Sequence, residues 1–142
     1  MQNLVLDGQL NEWTLDSETL ASLYGFRSTK SGNVVRVNSA PRKVMFGGKE
    51  FVASFIFSEN MLKHIVLIPI IEGVDIPNYP SEDYQSLKMK YCSEILNGFL
   101  GDSQTILPEG VQWTTDKYTI GCYAVYDGKD KYTGGNITID MR

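Results

Sequence analysis

Two consecutive segments in the middle of the chain are apolar on both of their faces. The first spans residues 51–57, and its two alternating sets are Phe51, Ala53, Phe55 and Phe57 against Val52, Ser54 and Ile56. The second segment, Leu62–Ile71, repeats this pattern after a short polar turn. A strand that is buried on one face only alternates apolar with polar residues. The pattern therefore predicts two neighbouring strands that are covered on both sides.

Helix signals occur at two places in the sequence. Asp16 or Ser17 can cap a short helix that runs to Tyr24, and Gly25 suits the left-handed position that ends helices. Ser81 can cap a longer helix, whose apolar residues recur at spacings of three and four. That stripe consists of Tyr84, Leu87, Tyr91, Ile95 and Phe99. It predicts a long helix that lies across a sheet, with Lys88 away from the buried side.

Shorter β-prone segments flank the central pair of strands. They are Val34–Val37 and Lys43–Phe46, with Gly47-Gly48 as a hairpin turn, and then Val111–Thr114, Tyr118–Tyr126 and Asn136–Met141. Residues 27–33 are polar and are predicted to form an exposed loop. The element order predicts a single α+β domain over residues 1–142. Its antiparallel sheet, a meander followed by a C-terminal hairpin, has one long helix packed across it and a short N-terminal helix.

The charge and the apolar segments exclude several classes of function. The chain has 17 acidic and 13 basic residues and a formal net charge of −4. Nucleic acids and anionic membranes are bound through basic surfaces, so we expect neither as a partner. The longest apolar run, Ile65–Ile71, is broken by Pro69 and is far shorter than the ~20 residues that a bilayer span needs. Residues 1–7 lack the features of a secretory signal, so a cytoplasmic location is expected.

Few residues of the sequence could carry catalysis. His64 is the only histidine, and a thiol enzyme would have to pair it with Cys92 or Cys122. These residues are also too few for a common four-ligand zinc site. No glycine-rich segment opens a helix after a strand, so we expect neither a metal nor another cofactor. We therefore interpret the protein as non-enzymatic and keep the thiol enzyme as a third alternative.

Aromatic residues are abundant, with eight Tyr, six Phe and two Trp. Tyr and Trp are enriched at protein-recognition surfaces, and they also form cross-strand pairs within sheets. We expect a binding surface for a basic protein partner or a second copy of this chain, with the candidate residues Trp113, Tyr118, Tyr123 and Tyr126. The alternative is a small-molecule-binding module. Its pocket would lie between helix and sheet and would be lined by Tyr84, Tyr91, Phe55 or Trp113.

The layout of these elements resembles small bacterial domains built as β-hairpin, helix and β-hairpin. The resemblance is carried by Glu50–Phe57, its return strand Leu62–Ile71, the helix after Ser81, and the strands Lys117–Tyr126 and Asn136–Met141. Some domains of this layout are immunity proteins that neutralise a toxin. A similar arrangement occurs in β-lactamase-inhibitor-like modules, whose Gly-Met-Thr helix start is absent from this chain. The resemblance implies protein binding, in the form of an immunity- or inhibitor-type role, and it assigns no functional residue.

Overall fold

The computed structural model describes residues 2–142, which form ten strands and two helices. In chain order these are β1 (Leu4–Val5), α1 (Ser17–Tyr24), β2 (Arg27–Ser31), β3 (Val34–Asn38), β4 (Val44–Phe46), β5 (Lys49–Ser58), β6 (Met61–Pro69), α2 (Glu82–Leu100), β7 (Thr105–Leu107), β8 (Gly110–Thr114), β9 (Tyr118–Tyr123) and β10 (Ile137–Met141). The strand order is β1-β4-β5-β6-β10-β9-β8-β7, and the β2–β3 hairpin joins β5 through β3. Only β1 and β4 pair in parallel among the described strands. The prediction of an α+β fold with a mostly antiparallel sheet, one long helix and one short helix is confirmed.

Strand β5 is long enough to pair with three other strands. One of its edges pairs with β6, while the other edge pairs first with β4 and then with β3. Ser39 fills the space between these two partners. Its backbone N–H donates to Ala53 O at 2.9 Å, and its hydroxyl oxygen accepts from Ala53 N at 2.7 Å. Because Ser39 is buried, these bonds satisfy backbone groups that water cannot reach.

One face of the sheet carries the hydrophobic core, and both helices lie on that face. Its fully buried residues include Phe51, Phe55, Phe57, Ile65, Leu67, Ile120, Cys122, Ile137 and Ile139. On the side of α1, the rings of Trp13 and Phe26 lie 5.8 and 6.1 Å from the ring of Phe55. On the side of α2, the ring of Phe99 lies 4.9 Å from that of Phe46. The two helices therefore cover different parts of the same apolar face of the sheet.

The opposite face of the sheet, here called the open face, lacks a helix among residues 2–142. It presents half-buried side chains, which include Val52, Ser54, Ile56, His64, Val66, Ile68, Tyr123 and Thr138. Among residues 2–142, the predicted cover of β5 and β6 by a further layer is therefore present on one side of the sheet only. Side chains on adjacent strands lie about 4.5–5.5 Å apart and shield one another. This mutual shielding explains why the apolar residues are half-buried without a helix above them.

The predicted helix ends are confirmed by the structure. Asp16 caps α1, since its carboxylate accepts from Thr19 N at 2.7 Å, and this bond lowers the pKa of the Asp16 carboxyl. Gly25 ends α1 with φ 68°, in the left-handed region. Ser81 caps α2 by accepting from Tyr84 N at 3.3 Å. Local hydrogen bonding of this kind is encoded within a few residues, which explains why the sequence predicts it well.

The buried face of α2 differs from the predicted stripe. The residues that are buried against the rest of the protein are Gln85, Lys88, Cys92 and Leu96. Leu87 is exposed, whereas Tyr84, Tyr91, Ile95 and Phe99 are only half-buried. The prediction for Lys88 is also wrong, because this lysine is buried. The physical reason is that the first turns of α2 lie against the connection between β9 and β10. The side chains of Gln85 and Lys88 find hydrogen-bond partners there.

Two further strands, β2 and β7, are not predicted from the sequence. Residues 27–33 contain β2, an exposed edge strand that pairs along its whole length with β3. Strand β7 pairs with β8 at the other end of the sheet. Neither strand buries an alternating apolar face, so the hydrophobic pattern does not reveal them. Their pairing depends on the backbone of a neighbour instead.

Substitution on the two faces of β5 tests the one-sided core. We expect Phe55→Ala to lower the free energy of unfolding by about 3–5 kcal/mol, because it opens a cavity between the rings of Trp13 and Phe26. We expect Ile56→Ala, on the open face, to cost about 1 kcal/mol. Urea denaturation of both variants measures the difference. Equal losses would contradict the assignment of the open face.

Candidate functional site

The four aromatic candidate residues do not share one surface. Trp113 and Tyr118 are buried on the helix-covered face, and Trp113 Nε1 donates to Gly101 O at 3.0 Å beside the end of α2. Tyr123 is half-buried on the open face, where its hydroxyl donates to Gln112 Oε1 at 2.9 Å. Tyr126 lies beyond β9 and is 55% exposed. Of the four, only Tyr123 and Tyr126 have side chains that are not buried.

The histidine and the two cysteines lie on opposite faces of the sheet. His64 is on the open face, with its Nδ1 2.5 Å from Asp140 Oδ1. Cys122 is on the other face, beneath α2, and Cys92 of α2 is buried with it. Hydrogen bonding with Cys122 and burial raise the pKa of the Cys92 thiol. The thiol–imidazole pair of the third alternative is therefore not assembled in this structure.

The connection between β9 and β10, residues 124–136, is held in place by Gln85 of α2. The side-chain oxygen of Gln85 accepts from the backbone N–H groups of Val125 and Gly134, both at 2.9 Å. At Gly135, φ is 90°, and a Cβ there would lie only 2.8 Å from Gln85 O. The connection therefore needs glycine at this position to approach α2 so closely. A buried side chain thus replaces the partners that these backbone groups lose where the sheet ends.

Lys88 lies one turn after Gln85 and is only 5% exposed. Its Nζ donates to Asn136 Oδ1 at 3.0 Å and lies 4.7 Å from the centre of the Tyr84 ring. Within residues 2–142, no carboxylate lies within ion-pair distance of Lys88. Burial lowers the pKa of Lys88, because removal from water penalises the charged ammonium. An ammonium has three N–H donors, so Lys88 can donate to further acceptors besides Asn136.

Lys88 lines a pocket of about 430 Å³, here called the Lys88 pocket. The pocket lies between the β6–α2 connection, the first turns of α2 and the end of the β9–β10 connection, and Val52 and Ile68 of the open face also line it. Three tyrosines, Tyr79, Tyr84 and Tyr132, contribute to its walls. Lys88 is the only charged residue among those that line it. An apolar, aromatic pocket with a few polar groups is typical of small-molecule sites.

The backbone at one wall of this pocket has an unusual conformation. Tyr132 adopts φ 64°, in the left-handed region that non-glycine residues rarely occupy. Its N–H donates to Val125 O at 2.7 Å, which helps to hold the conformation. Strained residues of this kind are concentrated at ligand-binding positions. Glu59 and Asn60, which do not line this pocket, have similar φ angles of 53° and 64°, so this conformation belongs to the turns of the chain and does not by itself mark the pocket.

The residues predicted for a small-molecule pocket are distributed over different places. Tyr84 lines the Lys88 pocket, as expected for that alternative. Tyr91 lines a separate groove of about 480 Å³ between α2 and the β4–β5 turn. Phe55 and Trp113 are core residues. The apolar stripe of α2 does not indicate Lys88. A second stripe at helical spacing does contain it, and that stripe consists of Gln85, Lys88, Cys92 and Leu96.

The chain matches no protein-family model, no curated protein and no solved structure. The part of the chain that the structure describes contains no helix that is both long and apolar enough to cross a membrane. Residues 2–142 also contain no group of three or more His, Cys, Asp or Glu that could hold a metal ion. The functional interpretation therefore depends on the geometry of the chain itself.

Substitution of Gln85 tests how the β9–β10 connection is held. We expect Gln85→Leu to lower the free energy of unfolding by about 1–2 kcal/mol, because it leaves two partly buried N–H groups without their acceptor. Hydrogen exchange should speed up at Val125 and Gly134, the two residues whose amides lose their acceptor. Ser86→Ala on the exposed side of α2 is the matched control, with an expected change within about 0.5 kcal/mol. Unchanged exchange at both amides would show that Gln85 does not hold the connection.

Proposed function

We propose that this is a non-enzymatic binding protein whose partner is a basic protein. The supporting observation is the exposure of two large apolar side chains on the segment 72–83. Ile76 and Tyr79 are 72% and 70% exposed. The acidic residues of this segment are Glu72, Asp75, Glu82 and Asp83, all of them exposed, and the segment contains no basic residue. An apolar centre surrounded by charge of one sign fits a partner surface of the opposite sign.

The surroundings of this segment extend the proposed surface. The Lys88 pocket connects Ile76 and Tyr79 with the half-buried Val52 and Ile68 of the open face. The net charge of −4 favours the approach of a basic partner over long range. Large aromatic and apolar side chains supply most of the binding energy at protein interfaces, while the charged rim steers encounter. Tyr123 and Tyr126 remain candidate binding residues, and the buried Trp113 and Tyr118 contribute through the fold.

An immunity- or inhibitor-type role is the specific form of this proposal. In that role the partner is an enzyme, and the complex lowers its activity. Enzymes that act on nucleic acids carry basic surfaces of the kind that an acidic segment fits. With a partner of this type, the acidic segment 72–83 would bind the basic surface of the enzyme and thereby lower its activity.

A quantitative pull-down with matched variants tests the proposal. The tagged protein is incubated with lysate of its own cells, and the recovered proteins are measured by mass spectrometry. We expect one basic protein to be enriched, and we expect Ile76→Ser combined with Tyr79→Ser to reduce its recovery at least ten-fold. Ile106→Ser is the control, because Ile106 is 73% exposed on β7 and lies outside the segment. Recovery should also fall with rising salt, since charge complementarity weakens.

Three results of this experiment would overturn the proposal. The first is equal recovery of the partner by the double variant and the wild type. The second is a partner with no basic surface, or recovery of the chain itself alone, which would indicate self-association. The third is the absence of any enriched protein. Urea denaturation of each variant shows whether a loss of recovery arises from loss of folding.

A further inference from the structure

Lys88 is a buried cation for which the described structure supplies no anion. Lysine is almost never fully buried unless it is paired, because an ammonium loses its hydration. The partners of Lys88 are a neutral amide oxygen of Asn136 and the face of the Tyr84 ring. The two ion pairs among residues 2–142, Lys43 with Glu50 and His64 with Asp140, involve other residues. The charge of Lys88 therefore lacks a counterion within residues 2–142.

The surroundings of Lys88 determine what kind of anion could serve as its counterion. The pocket has a volume of about 430 Å³, which lies within the ~300–1,000 Å³ typical of small-ligand sites. Its walls include the tyrosines 79, 84 and 132, and Asn136 adds an amide beside the ammonium. One lysine with one amide balances a single negative charge. A doubly charged phosphate would bring an additional charge into an otherwise apolar pocket, which is costly.

We propose that the Lys88 pocket binds a small organic carboxylate with a flat, apolar body. The carboxylate accepts from Lys88 Nζ, while the apolar part lies among the three tyrosines and above Val52 and Ile68. This inference goes beyond the binding of a protein partner and does not depend on it, since the acid is recognised by the charge of the buried Lys88, which the proposed protein surface does not use. The two proposed sites share Tyr79, Val52 and Ile68, so the acid and the protein would compete for these residues.

The simplest competing explanation is that Lys88 serves only to anchor Asn136. In that case the pocket would treat a carboxylate and a neutral molecule of the same shape alike. Phenylacetate and phenylacetamide form such a pair, because they differ in charge and share the aromatic body. The comparison between them in the unmodified protein is therefore independent of any effect of substitution on folding.

The experiment is an NMR titration of the ¹⁵N-labelled full chain with each of the two probes. We expect saturable shifts at the amides of Lys88, Tyr132 and Asn136, with phenylacetate binding at least ten-fold more tightly than phenylacetamide. Lys88→Met should remove this preference, because it keeps the length of the side chain and deletes the charge. Lys90→Met is the matched control on the exposed side of the same helix and should leave the preference unchanged.

A second variant tests the same proposal by changing Asn136, which accepts the hydrogen bond from Lys88. Asn136→Asp places a carboxylate at the position of the present amide, 3.0 Å from the ammonium. We expect it to compete with phenylacetate and to weaken its binding at least ten-fold. The proposal is overturned by equal affinity for acid and amide, by shifts that do not saturate, or by shifts elsewhere in the protein. It is also overturned if the folded Lys88→Met variant keeps the preference.

Discussion

The burial of a row of phenylalanines on β5 beneath both helices is the constraint on which the rest of this structure depends. Phe51, Phe55 and Phe57 all face the same side of the sheet, together with the inner residues of β6, β9 and β10. A sheet whose two helices lie on one side leaves its other side without that cover. The half-buried residues of the open face and the pocket at its end both follow from this asymmetry.

The beginning of α2 shows how a polar helix face can be buried at low cost. Gln85 and Lys88 lie where apolar residues would be expected, yet each has a hydrogen-bond partner in the β9–β10 connection. A buried polar group costs little free energy when it is bonded and much more when it is not. The side-chain oxygen of Gln85 meets this condition, since it accepts two bonds. Lys88 meets the condition only in part, because its ammonium donates one hydrogen bond and has three donors. Gln85 is therefore a structural anchor, whereas Lys88 can still bind a further acceptor.

The features that the sequence predicts are those with a local cause. The caps at Asp16 and Ser81 and the Gly47-Gly48 turn are each determined within a few residues, and the structure contains all of them. Strand β2 was missed because its pairing comes from the backbone of β3 and not from an apolar pattern. The candidate site was mostly missed for a similar reason. Lys88 finds its acceptor 48 residues later in the chain, and no local pattern connects two positions that far apart.

The position of β10 determines when the sheet can be completed as the chain is synthesised. This strand, the last element in chain order, lies between β6 and β9, and in the described pairing it alone joins the strands before α2 to those after it. Until β10 emerges from the ribosome, one edge of β6 has unpaired backbone groups. Open edges of this kind are where nascent chains associate with one another. Strand β10 therefore closes an edge of β6 and an edge of β9 at the same time.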